Sequence, residues 1–250
     1  MDLIRIINNS RGIFKKYLES EWDTSVISDY SEEEIEKLYT SKSYNDNLYF
    51  GKASNLNLTL SHKDIKDHKL HIIYYNFPEI NSPPLKVTKL CGDKMLSLYN
   101  NEIINPEDSI ILIITEKISE NIEKTIEDIY KKGQEKLLVD NLSDNILEQN
   151  EKLGENKYKL SHFRNIHLFN INSLGFDIGK HISVPKHICI RNTNEISGIL
   201  RDLNATEKQL PLILRTDPMS KLLRLAPGDL CEIVRNSERC GEYKFYRICN

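Results

Sequence analysis

Five consecutive aliphatic residues, Ile-Ile-Leu-Ile-Ile at 110–114, form the longest uninterrupted apolar run of this 250-residue chain. Successive strand residues point to opposite faces, so this run is apolar on both. A strand of that kind needs cover on both sides, which is the position of a central strand in an α/β layer. The run is far short of the roughly 20 apolar residues that a membrane helix needs.

The flanking pattern supplies the layers. Ile6, Ile7, Ile13, Phe14, Tyr17, Leu18 and Trp22 recur near a period of 3.6 and predict an amphipathic helix over 3–22, interrupted near Gly12. Ser31 with Glu34 is a capping box for a second short helix. Alternation predicts strands at 56–60 and 70–77, closed by Pro83-Pro84, and a helix follows over 87–99. Ser119 caps a helix to about Lys132, and 167–171 reads as a closing strand. Strand and helix alternate, so the expected N-terminal domain, 1–176, is α/β with a partly parallel sheet. The polar, weakly periodic residues 131–160 read as an insertion or mobile connection, and 174–180 as a linker.

The last 70 residues differ. The segment HISVPKH at 181–187 reads as extended. Asn192 and Glu195 open a helix carrying Ile196, Ile199, Leu200 and Leu203. A second helix starts at Asp217-Pro218, where the carboxylate accepts orphan N–H bonds and proline needs none. Residues 230–234 and 243–248 read as a hairpin with Cys240-Gly241 in its loop. Tyr243, Phe245 and Arg247 are expected on one face, and Lys244, Tyr246 and Ile248 on the other. The expected C-terminal domain, 177–250, is a small mixed α+β unit.

Charge divides the same way. The net charge is −3, yet residues 181–250 hold 11 Lys and Arg against 8 Asp and Glu. The first 180 residues hold 23 against 29, an acidic balance that argues against an autonomous DNA binder. Five cysteines without a CxxC pair, and an MDLIR start without a basic n-region, predict free thiols in an intracellular, reducing setting.

The C-terminal residues resemble the assembly domain of the fifth subunit shared by eukaryotic nuclear RNA polymerases, a family that also has archaeal members. The likeness is carried by HISVPKH, by QLPLILRTDP at 209–218, and by the ungapped run from Asp217 to Cys249. The resemblance implies a non-catalytic polymerase subunit that docks on the largest subunit. The residues it marks for that interface are His181, Pro185, His187, Pro211, Asp217, Pro218, Gly228, Arg235, Ser237, Gly241, Tyr243, Tyr246 and Arg247. Other polymerase subunits are the implied partners, with downstream duplex DNA met through the assembled complex and no membrane.

The front of the chain is similar, more weakly, to the jaw domain of the family's eukaryotic members. That domain has a restriction-endonuclease-like fold without nuclease chemistry. The resemblance implies no cofactor on this chain, Mg²⁺ belonging to the polymerase as a whole. Extra length near 131–160, with heavy use of Asn, Ile and Lys, suggests a large DNA virus as source. The setting is then host cytoplasm or virion, or the nucleus for a cellular protein. Leu212 and Leu214 stand where the family is usually polar, Leu222 replaces an aromatic, and Arg224 replaces a glycine that often permits a positive φ.

Other chemistries fit less well. A polymerase active site needs clustered aspartates, and none is seen here. A nuclease needs an Asp followed by Glu-x-Lys on adjoining strands; Asp108 has only the adjacent pair Glu116-Lys117 near it, and Glu242-Tyr243-Lys244 lies in the other domain. His181 with His187 lacks the two-to-four spacing of zinc sites and reads as a hydrogen-bonding pair, and His62, His68 and His71 straddle a polar loop and are read in the same way, not as a metal site. Tyr243, Phe245 and Tyr246 beside Lys244 and Arg247 could stack nucleic acid, but a protein interface enriches the same residues. The alternative function is a free-standing nucleic-acid-binding regulator of transcription.

Overall fold

The structure, a computed structural model, describes residues 2–41, 50–87, 90–237 and 241–250. It divides into two units: Met1–Ile146 with Phe163–Phe176, and Leu147–His162 with Asp177–Asn250. The second unit therefore takes in a segment from within residues 1–176 as well as the chain beyond them.

The first unit is built on a four-stranded sheet in the order β1 (Leu58–Ser61), β2 (Lys69–Tyr74), β3 (Ser109–Ile114), β4 (Ile166–Asn170). β1 and β2 are antiparallel, while β2, β3 and β4 run parallel. β3 is buried along its whole length, as its apolar run demands. One face carries Ile110, Leu112 and Ile114, packed with Met95 and Leu98 of α3 (Leu90–Asn100) and with Ile122, Ile126 and Ile129 of α4 (Glu120–Asp140).

α1 (Leu3–Leu18) starts at Asp2, whose carboxylate accepts the Ile4 N–H at 3.3 Å. It runs through Gly12 without the expected interruption. One glycine costs a helix only about 1 kcal/mol, and a buried stripe including Ile6, Ile7, Ile13 and Phe14 outweighs that. The expected capping box opens α2 (Glu32–Thr40), with Ser31 and Glu34 bonding reciprocally. The start of the helix expected at 87 falls partly on 88 and 89, outside the described residues.

α4 does not stop near Lys132. Gly133 resembles a helix-ending glycine but lies in mid-helix, where an added Cβ would meet the Arg164 side chain at 2.4 Å from Nε. Arg164 passes there to stack on Tyr99 at 3.9 Å and to donate to the Pro106 carbonyl at 3.3 Å. After α4 comes α5 (Asp144–Lys152), with the exposed pair Glu148 and Lys152 at 2.7 Å. Residues 131–160 are thus largely helical rather than a loose connection.

The second unit has a sheet in the order β5 (Lys186–Ile190), β7 (Leu230–Ser237), β8 (Gly241–Cys249), β6 (Leu212–Ile213). Neighbours are antiparallel except β6 and β8, which are parallel. The register puts Leu230 opposite Ile248 and Cys231 opposite Arg247, so residue parity assigns the faces. On one face Ile190 and Leu230 pack with Ile196, Ile199 and Leu200 of α6 (Thr193–Asp202). On the other, Cys231, Ile233, Cys249 and Ile213 pack with Leu223 and Leu225, which follow α7 (Pro218–Leu222). The expected mixed α+β character is what is observed.

Candidate assembly interface

The hairpin of β7 and β8 sets the geometry. Arg235 pairs with Tyr243, Ile233 with Phe245 and Cys231 with Arg247, while Glu232 pairs with Tyr246 on the opposite face. The alternation read from the sequence is therefore the alternation observed. Gly241 opens β8 at φ +68°, a left-handed conformation that glycine adopts without a Cβ penalty. Cys240, expected in the loop, lies outside the described residues.

Arg235 and Arg247 flank the Phe245 ring, with guanidinium carbons 5.6 and 5.3 Å from its centroid. Arg247 also donates to the Leu212 carbonyl at 2.8 Å, tying β8 to β6. It bonds to a backbone carbonyl of its own unit, and Glu232 is taken by other groups. The Glu232 carboxylate accepts from Lys244 Nζ at 3.1 Å and from the Tyr246 hydroxyl at 3.0 Å. Burial, followed by that bond and charge, pushes the Tyr246 phenol up to about 12.

Near the turn end of the hairpin lies a groove of about 680 Å³. One wall is residues 182–186; the other is Val234, Arg235 and Asn236 with Glu242 and Tyr243. Ile182 stands almost wholly in solvent, at 97% exposure. The groove thus joins apolar surface to both charges, Lys186 and Arg235 against Glu242. That is the composition of a protein-contact surface with a polar rim.

Of the thirteen marked residues, Pro185, Arg235 and Tyr243 line this groove. Ser237 lies at the end of β7, opposite Gly241. His181 and His187 do not share one extended segment, because β5 begins only at Lys186. The Val184 N–H bonds the His181 carbonyl at 2.9 Å and closes a turn. His181 Nδ1 accepts from the Ser183 N–H at 3.2 Å, and His187 Nδ1 donates to the Pro185 carbonyl at 2.8 Å.

The remaining marked positions make local structure. The Pro211 carbonyl accepts from the Ile248 N–H at 3.0 Å. Asp217 caps α7 through the Met219 N–H at 2.8 Å, with Pro218 in the first turn. Gly228, at φ +89°, sends its N–H to the Cys249 carbonyl at 3.0 Å. Arg224 takes φ +53°, so the left-handed backbone expected of a glycine is adopted by arginine itself.

Sequence reasoning passed over Ile182, although an isoleucine beside a turn histidine has no core partner within reach. Leu212 and Leu214, noted only as departures, are 52% and 59% exposed on either side of the buried Ile213. Period-two alternation was the available signal for both.

The residues considered for other chemistry serve the fold of the first unit. Asp108 accepts from the Lys69 N–H at 2.8 Å and the Asn105 N–H at 3.0 Å, and it pairs with His71 at 3.2 Å. Glu116 accepts from the Val87 N–H beyond the other end of β3. The six residues of β3 lie between them, about 20 Å of strand, so they cannot share a metal. His62 and His68 stack on one another and edge onto Trp22. Among the described residues no group of three or more His, Cys, Asp or Glu could hold a metal, and no helix is long and apolar enough to cross a membrane.

The family model for the RNA polymerase Rpb5 C-terminal domain matches residues 176–249. The DNA-directed RNA polymerase subunit Rpo5 of Methanothermobacter thermautotrophicus is 39% identical over 72 residues, 29% of this chain and 92% of the relative. Rpo5 of Pyrococcus horikoshii is 41% identical over 73 residues, 29% of this chain and 88% of the relative. A Dictyostelium discoideum subunit of DNA-directed RNA polymerases I, II and III is 37% identical over 81 residues, 32% of this chain and 41% of that protein. The likeness spans nearly the whole of the archaeal proteins, and by it the chain belongs to the Rpb5/Rpo5 family of DNA-directed RNA polymerase subunits.

Proposed function

We propose that the C-terminal unit docks on the largest subunit of a multisubunit DNA-directed RNA polymerase, and that the N-terminal unit is a lower jaw near downstream DNA. The chain is a non-catalytic subunit of that enzyme. The observation that carries the function is the family match over 176–249, which covers most of the length of its archaeal relatives. The groove beside Arg235 and Tyr243, with Ile182 at its edge, supports docking at the hairpin end. The α/β architecture of the first unit, with its parallel β2–β3–β4 core, supports the jaw reading. The 131–160 segment and the Asn-, Ile- and Lys-rich composition support a large DNA virus as source, acting in host cytoplasm or virion.

Docking through the groove is tested by pull-down of the largest subunit with tagged full-length chain. Losing a buried charge-assisted contact costs about 2–5 kcal/mol, so Arg235→Ala should release the partner at salt that wild type withstands. Unchanged recovery by both Arg235→Ala and Tyr243→Ala would remove the groove from the interface.

A further inference from the structure

The Asp229 carboxylate is fully buried in the C-terminal unit. Its Oδ2 accepts from the Ala226 N–H at 2.8 Å and from Arg191 Nε at 3.2 Å. Arg191 also donates to the carbonyls of Leu223 and Arg224, at 3.1 and 3.0 Å. The third partner comes from the segment Leu147–His162: His162 Nε2 lies 2.6 Å from Asp229 Oδ1. His162 Nδ1 accepts the Lys159 N–H at 2.9 Å, so that nitrogen carries no proton. The ring is therefore held as the Nε2–H tautomer, donating to Asp229.

Two further bonds land on the same turn. Lys159 Nζ donates to the Gly228 carbonyl at 3.0 Å and Ser161 Oγ to the Pro227 carbonyl at 3.1 Å. Asn192, at the start of α6, donates to Asn156 Oδ1 at 2.5 Å. The segment also folds on itself, with Asn150 bonding both the N–H and the carbonyl of Tyr158 at 2.8 and 3.0 Å.

Polar bonds are what fasten this segment. Its buried residues are Asn150 and His162, and none of the unit's buried hydrophobic residues comes from it. An element with little buried apolar area opens at lower free energy than the sheet it lies on. The Methanothermobacter relative, matched over 92% of its length by 72 residues, is too short to carry a 16-residue addition. A sheet of this family therefore folds without one.

We propose that Leu147–His162 is a detachable clasp, fastened by His162 to Asp229, that opens while the four-stranded sheet of the C-terminal unit stays folded. Opening frees Asp229 Oδ1 and the Pro227 and Gly228 carbonyls, while Ala226 and Arg191 keep their bonds to Asp229 Oδ2.

The test is limited trypsin digestion with hydrogen exchange on the full chain, since Lys157 and Lys159 offer cleavage sites within the clasp. Loss of a bond to a buried charged group should speed cleavage there about tenfold or more in His162→Ala, while β7 and β8 amides change far less. His162→Gln keeps a donor toward Asp229 and should fall between wild type and His162→Ala. Clasp and β7 amides accelerating together, in either variant, would show one cooperative unit and overturn the proposal. Unchanged cleavage in both variants would show that His162 is not the fastening.

Discussion

The two units bury their residues in contrasting ways. In the first, five aliphatic side chains of β3 vanish into cover on both faces, and its buried Asp108 is bonded by backbone N–H groups and His71. In the second, whose sheet also has four strands, the buried Asp229 and His162 join the half-buried Arg191 in one network, while Ile182, Leu212, Leu214 and Tyr243 stand in solvent. A small unit buries a lower fraction of its surface than a large one. Among the described residues, the first unit also leaves Val26, Leu85, Leu138, Val139 and Phe176 exposed, spread over a longer stretch of chain. The second, with Leu203 exposed besides, carries as many on far fewer residues, a denser apolar surface that suits a part whose family assembles into a polymerase.

The largest expected effect tests whether the second unit depends on its charge network. Asp229→Ala removes one partner of a buried ion pair and should cost about 3–5 kcal/mol in urea unfolding. Burial alone would raise the Asp229 pKa, but Arg191 and His162 beside it, with the His162 and Ala226 bonds, hold it below its ordinary 3.8. A depressed carboxylate stabilises above its unfolded value and loses that contribution as pH falls through the folded one. The C-terminal unit should therefore weaken below about pH 4, and Asp229→Asn should flatten that acid limb. An unchanged acid limb would contradict this assignment.

Leu112→Ala opens a cavity at the centre of β3 and should destabilise the first unit by about 2–5 kcal/mol. Hydrogen exchange should report the loss in β2, β3 and β4. A loss confined to the second unit would reverse the contrast. Gly241→Ala meets no atom within 4 Å of its new Cβ, so only the left-handed backbone is penalised, by about 1 kcal/mol. A melting curve unmoved by this change would mean that the hairpin does not need that conformation.

The smallest effect on folding is the most telling for function. Ile182→Ser removes an almost fully exposed side chain and should change stability by less than about 0.5 kcal/mol. The same change should weaken recovery of the polymerase partner. Loss of stability without loss of partner would assign Ile182 to the fold.

Much of this was legible where local physics decides. The 110–114 run announced a doubly covered strand, and Ser31, Ser119, Asn192 and Asp217 cap helices where their side chains predicted. Hairpin alternation assigned the faces of Tyr243, Phe245 and Arg247 correctly. The sequence hid what depends on distant chain. The helix from Ser119 was expected to end near Lys132, and what fills the space beside Gly133 in its continuation is Arg164, 31 positions away. α5 looked unstructured because it buries little and is largely polar. His162 and Asp229 are 67 residues apart, and no periodicity joins them. For the proposed interface, family resemblance marked Pro185, Arg235 and Tyr243, which meet at one groove, but not Ile182.

Affinity purification of the tagged full-length chain from its native source, with co-purifying proteins identified by mass, tests the central claim most directly. Membership of a polymerase predicts stoichiometric recovery of two very large subunits with smaller companions. Recovery of the chain alone, in gentle salt and good yield, would contradict it.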